Sequence, residues 1–144
     1  MHKIFILLVA LCATTLMANE IHWAKDFKSG IAQAAKENKP VMFISSRHTC
    51  KYCVILEEKT LSDATIIKAL NKDFISIVSY SDENDYMPRE LWRPGTPAIW
   101  FLNPDGTPMF QPLMGAYPKD AILQALGVVK TDFDKKNKKS GNVK

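Results

Sequence analysis

Cysteine is scarce in this chain. Three among 144 residues are too few for a disulfide-dense miniature scaffold, and a chain of this length can bury a core without such staples. Compositional bias is also missing: hydrophobic residues make up 47% and charged residues 24%, which excludes disordered, collagen-like and low-complexity classes. The sequence has no internal repeat, phosphate-cradling glycine loop, zinc-protease motif or nucleophilic serine elbow. It also lacks a basic body, despite a net charge of +4. Residues 130–144 hold six lysines and two aspartates, whereas 21–129 hold twelve basic and twelve acidic residues. The neutral body argues against a nucleic-acid surface.

Long apolar stretches are confined to the start. Met1–Ala18 opens with Lys3, runs apolar through IFILLVALCA and reaches small residues near Ala18. These are features of a secretory signal peptide over 1–18, and the run is shorter than the roughly 20 residues of a membrane-spanning helix. Leu16 fits poorly where a small residue is wanted before cleavage, and a permanent N-terminal anchor is the competing reading. Cys12 lies in this segment and leaves with it. The mature domain, 19–129, then carries Cys50 and Cys53 in an exported compartment, the periplasm, where disulfide chemistry is permitted. The lysine-rich stretch 130–144 is expected to be a flexible, solvated tail.

Apolar periodicity predicts an amphipathic helix over 23–38, stopped by Asn38-Lys39-Pro40. A fully buried strand follows at 41–45. Further helices are predicted over 50–59 and 63–71, the second capped by Ser62-Asp63. A strand is predicted at 74–78, a short helix around 88–92 and a buried strand at 98–102. Asn103–Gly106 forms a turn, 109–114 returns antiparallel, and a helix over 118–126 ends at Gly127. This order implies an α/β fold, a central mixed sheet flanked by helices, with a right-handed parallel crossover between the first two strands.

Cys50-Lys51-Tyr52-Cys53 follows a buried strand and opens a helix. Free N–H groups and the helix dipole there stabilise a thiolate, lowering a cysteine pKa from about 8.5 to as little as 3.5–7.5. Cys50 is then the exposed nucleophile and Cys53, on the same side, the resolving thiol. Two other readings compete with redox chemistry. One is a static disulfide, which would close only a short loop. The other is a metal site using His48, Cys50 and Cys53, short of the four ligands of structural zinc. The Asp82–Asp85 cluster reads as a solvated loop, and Trp92, Trp100 and Phe101 as core or groove lining.

Taken in order, several segments resemble the thioredoxin superfamily over roughly residues 21–127. They are Trp23 and its helix, Lys39-Pro40-Val41-Met42, the Cys50–Cys53 motif and Glu57. Thr60-Leu61-Ser62-Asp63, Gly95-Thr96-Pro97-Ala98 and the Asn103–Gly106 turn follow. The pattern is similar to exported thioredoxin-like proteins and to the C-terminal periplasmic domain of the thiol-disulfide interchange protein DsbD. The resemblance implies a thioredoxin-like fold and a protein-disulfide oxidoreductase, with the reductase direction favoured, working on disulfide-bearing proteins as a monomer. No cofactor and no metal are implied. Turnover calls for a redox partner, such as a membrane thiol reductase. Pro97 becomes the cis-proline facing the cysteines, with Thr96 before it offering backbone to an extended substrate. The family's buried aspartate in the strand before the cysteines is replaced by Ile44. Glu57, four residues after Cys53, is the candidate proton acceptor; a solvated helix glutamate is the competing reading. Lys51-Tyr52 gives no redox direction. The rival class is a thioredoxin-fold module that holds a metal or client protein without redox turnover.

Overall fold

The three longer strands of the sheet are nearly wholly buried. Val41–Ser46 (β1) has no exposed residue, as its unbroken apolar run predicts. Ile75–Tyr80 (β2), Ala98–Leu102 (β3) and Leu113–Met114 (β4) complete the sheet that the computed structural model describes, within residues 19–141. The predicted leader, with Cys12, lies outside those residues. The order across the sheet is β2-β1-β3-β4. β1 and β2 are parallel, and β3 is antiparallel to both β1 and β4. The result is the mixed-sheet, thioredoxin-like α/β fold expected from the sequence.

Helices α1 (Phe27–Glu37), α2 (Lys51–Ile55), α3 (Ala64–Asp73) and α4 (Lys119–Gly141) connect and cover the strands. Asp26 caps α1 by accepting from Ser29 N, and Asn38 ends it in the left-handed region. Asp63 caps α3 by accepting from Thr65 N and Ile66 N. The helix expected over 50–59 is divided. Regular α2 gives way to a π-helical turn, Leu56–Thr60, in which Leu61 N donates to Leu56 O at 2.9 Å.

Side chains alternate across the sheet and divide the core in two. Phe43, Ile77, Trp100 and Leu102 pack with Phe27 and Ala34 of α1. Met42, Ile44, Ile99 and Phe101 pack with Ile66 and Leu70 of α3 and Ile122 and Leu126 of α4. Ser46 continues the Met42–Ile44 row and so meets the end of α2.

The last helix departs from expectation. It does not stop at Gly127 but continues through Gly141, so the described part of the lysine-rich segment is helical. Ile122, Leu126, Val129 and Phe133 are its buried residues, spaced by four, three and four. Lys130–Asp134 and Lys136–Asp132 form i,i+4 ion pairs on its surface. Among the described residues no helix is long and apolar enough to cross a membrane.

Candidate active site

The polypeptide leaves the buried end of β1, crosses the exposed Arg47-His48-Thr49 and enters α2 at Cys50. Cys50 is the N-cap, and its Sγ accepts from Cys53 N at 3.3 Å. A helix entry leaves amide donors without helical partners, and here one of them points at sulfur. Cys50 is half-buried, Cys53 is fully buried, and both are free thiols.

Across from the pair, the Thr96–Pro97 bond is cis, and Cys50 Sγ donates to Thr96 O at 3.4 Å. Pro97 is buried just ahead of β3, which β1 flanks. Sheet pairing therefore brings residues 46 positions apart into contact. Gly95, with φ of 110°, makes the turn into this segment.

The two thiols are electrostatically unequal. Burial works against ionising Cys50, but contacts with the Cys53 and Thr96 side chains and the amides of Cys53 and Tyr52 outweigh it. The Cys50 thiol therefore lies below its ordinary value. Burial, and next the contact with Cys50, push the Cys53 thiol up, against smaller opposing contacts from Thr96, Ser46 and Arg47. Ionisation is therefore easier at the outer sulfur than at the inner one.

Glu57 is the second residue of the π-helical turn and is half-buried. It accepts from Ser46 Oγ at 3.1 Å and from Tyr80 Oη at 3.2 Å. It is therefore tied into the interior rather than spread over a solvated helix face, and its link toward Cys53 runs through Ser46. Burial first, then the charge and hydrogen bond of Glu57, raise the Tyr80 phenol to about 12. Ile44 is 2% exposed and packs in the apolar core, where the resemblance would place an acid.

Other sequence expectations fall elsewhere. His48 is engaged by the loop after β2: its Nδ1 lies 3.2 Å from Asp82 and its Nε2 3.6 Å from Glu83, with its ring stacked on Tyr80 at 3.9 Å. Asp85 accepts from Tyr80 N. The acidic cluster is therefore structural in part, not simply a solvated loop. Trp100 and Phe101 are core, and Trp100 Nε1 donates to Leu91 O at 3.0 Å. Trp92 is 58% exposed and so is not core. Among the described residues no group of three or more histidine, cysteine or acidic side chains could hold a metal ion. Tyr80 went unremarked in the sequence. Ser46, which falls outside the strand expected over 41–45 and into an expected polar loop, is instead the buried last residue of β1, as the alternation Met42-Ile44-Ser46 could have signalled.

A mixed sheet, a dithiol at a helix entry and a cis-proline segment against the outer sulfur together define a thioredoxin-like dithiol protein. The family model described as a thioredoxin-like domain matches residues 27–130, and the chain belongs to that family. Among characterised relatives, anterior gradient protein 2 of Xenopus laevis is 31% identical over 81 residues, covering 51% of this chain and 44% of that protein. Human spermatogenesis-associated protein 20 is 25% identical over 115 residues, 76% of this chain and 15% of that protein. The chain thus spans less than half the length of these relatives. Among solved structures, a thioredoxin from Thermus thermophilus superposes with a TM-score of 0.64 at 24% identity, covering 76% of this chain and 87% of the other. The reduced DsbD C-terminal domain of Neisseria meningitidis gives 0.57 at 23% identity, covering 69% and 90%. At such identities these structures speak for the fold.

Proposed function

We propose that this chain is an exported protein-disulfide reductase working by dithiol–disulfide exchange through Cys50 and Cys53. The observation that carries the reading is the geometry at the start of α2: Cys50 Sγ accepts from Cys53 N and lies 3.4 Å from Thr96 O, with Cys53 buried behind it. The Cys50 thiolate attacks one sulfur of a substrate disulfide, and the other substrate sulfur leaves with the electron pair. The resulting mixed disulfide is attacked by Cys53, which closes the Cys50–Cys53 bond and releases the first substrate sulfur as a thiolate. The substrate is reduced by two electrons and this protein is oxidised by two. A membrane thiol reductase is the proposed donor that restores the dithiol. Thr96 and Pro97 border the nucleophile and are the proposed backbone contact for an extended substrate segment. The lysine-initiated apolar start of the sequence supports export, and cell fractionation with a tagged full-length chain tests it.

The chemical test uses dithiol-loaded protein and a synthetic peptide disulfide. Cys50→Ser is expected to abolish reduction, because the nucleophile is gone. Cys53→Ser is expected to trap a mixed disulfide visible by mass spectrometry. Normal turnover by Cys53→Ser would overturn the two-cysteine mechanism, and an inert wild-type dithiol would overturn the reductase reading.

A further inference from the structure

Cys53 is fully buried, yet the exchange just described requires it to lose a proton. The strand that leads into the motif supplies a route. Ser46, 1% exposed, is the last residue of β1 and points to the same face as Met42 and Ile44. Its hydroxyl donates to Glu57 Oε1 at 3.1 Å and is also among the groups that act on the Cys53 thiol, favouring its ionised form. Tyr80, at the end of the neighbouring β2, donates to that same oxygen at 3.2 Å and so fixes the carboxylate toward Ser46. Glu57 in turn borders an open cavity of about 310 Å³, shared with Glu20, Trp23, Ser62 and Tyr80. A buried thiol, a buried hydroxyl, a half-buried carboxylate and a solvent-accessible cavity thus lie in sequence.

We propose that Ser46 is the relay hydroxyl through which Cys53 passes its proton to Glu57, and that Tyr80 is the positioning residue that holds Glu57 for the transfer. This rests on the exchange reading above. In the resolving step Cys53 Sγ attacks Cys50 Sγ of the mixed disulfide, and the bond from Cys50 to the substrate sulfur breaks. The Cys53 proton moves to Ser46 Oγ as the Ser46 proton moves to Glu57 Oε1. Glu57 then releases it to water in the cavity, and the substrate thiolate takes a proton from solvent. The charged and titratable groups around the relay are Cys50 and Cys53 from the motif, Tyr80 from β2, Glu20 across the cavity, and His48, Asp82 and Glu83 beside Tyr80.

Rapid-mixing kinetics with the peptide disulfide separate formation of the mixed disulfide from its resolution. Ser46→Ala is expected to slow resolution about tenfold, less than the roughly hundredfold or more of general acid–base effects because water can partly substitute. Formation of the mixed disulfide serves as the internal comparison. Ser46→Thr keeps the hydroxyl and is expected to restore resolution. Tyr80→Phe removes one donor from Glu57 and is expected to move the pH profile of resolution to higher pH. If wild type forms no mixed disulfide, the exchange reading itself fails. If wild type turns over while Ser46→Ala resolves as fast, or Ser46→Thr is as slow as Ser46→Ala, the relay is overturned. Should Ser46→Ala fail to fold, Tyr80→Phe decides: an unmoved profile overturns the arrangement.

Discussion

Thr96 touches the nucleophile in two ways. Its carbonyl accepts from the Cys50 thiol, and its side chain is among the contacts that favour the thiolate over the opposing effect of burial. The carbonyl favours the protonated sulfur and the side chain the ionised one, so only the side-chain contact depends on residue type. Thr96→Val keeps the shape and removes the hydroxyl. A lowered thiol gives thiolate at lower pH, so losing a contact that lowers it must move half-ionisation up. The expected outcome is a higher pH for half-maximal iodoacetamide alkylation of Cys50 and slower alkylation at neutral pH. An unchanged alkylation profile would assign the lowering to the Cys53 side chain and the amides of Cys53 and Tyr52. The Cys50–Cys53 motif was legible from its spacing at a helix start, and the contact of Thr96 with Cys50 from the family resemblance. Ser46 and Tyr80 were not, since their partner Glu57 lies 11 and 23 positions away and meets them only once β1 and β2 pair.

Two glycines in helices carry opposite expectations. Gly30, in α1, is where helix and sheet meet: a methyl group built there overlaps the Ile77 side chain of β2. Alanine is the better helix former by about 1 kcal/mol, yet overpacking costs about 1–3 kcal/mol. Gly30→Ala is therefore expected to lower the urea midpoint. Gly127, in α4, has nothing within 4 Å of such a methyl. Gly127→Ala is expected to stabilise by about 0.5–1 kcal/mol through the reduced freedom of the unfolded chain. If both substitutions move the midpoint in the same direction, the close approach at Gly30 is not what decides its sign. Gly127 also explains why the end of α4 was misread. A glycine after an apolar stretch is a common stop signal, but here it falls on the exposed side of a continuing helix. The spacing of Val129 and Phe133 after Leu126 carried the contrary signal, and six lysines obscured it.

The sheet joins its parts through two separate apolar layers, and α4 runs on past residue 130, where the family match ends. Phe133 is 5% exposed on that extension. Its truncation to alanine is expected to lower stability by about 2 kcal/mol, the value of burying a large apolar side chain, as read by chemical denaturation. A shift within error would show that the charged end of α4 adds nothing to the fold. The strands themselves were readable because buried runs and turn residues are strong local cues, whereas their order and the split core emerge only from pairing. The engagement of His48 by Asp82 and Glu83 was not readable either, because it depends on where the loop after β2 returns.

At one margin of the sheet the chain closes its own border. Trp23 bridges Ser76 in parallel, and Ala24 N donates to Ser76 O at 2.8 Å, so the outer side of β2 is partly occupied. At the other margin β4 is two residues long and runs into Gly115, whose φ is 108°. Long, flat borders are what template growth of one protein's sheet onto another, and neither margin offers one. Under the exchange proposed above, encounters with extended chains would be directed away from sheet-to-sheet growth and toward the Gly95–Pro97 segment. Foreign backbone lodging there would meet a sulfur 3.4 Å from Thr96 O, so in that proposal the place that accepts an extended chain is also the place that reacts with it.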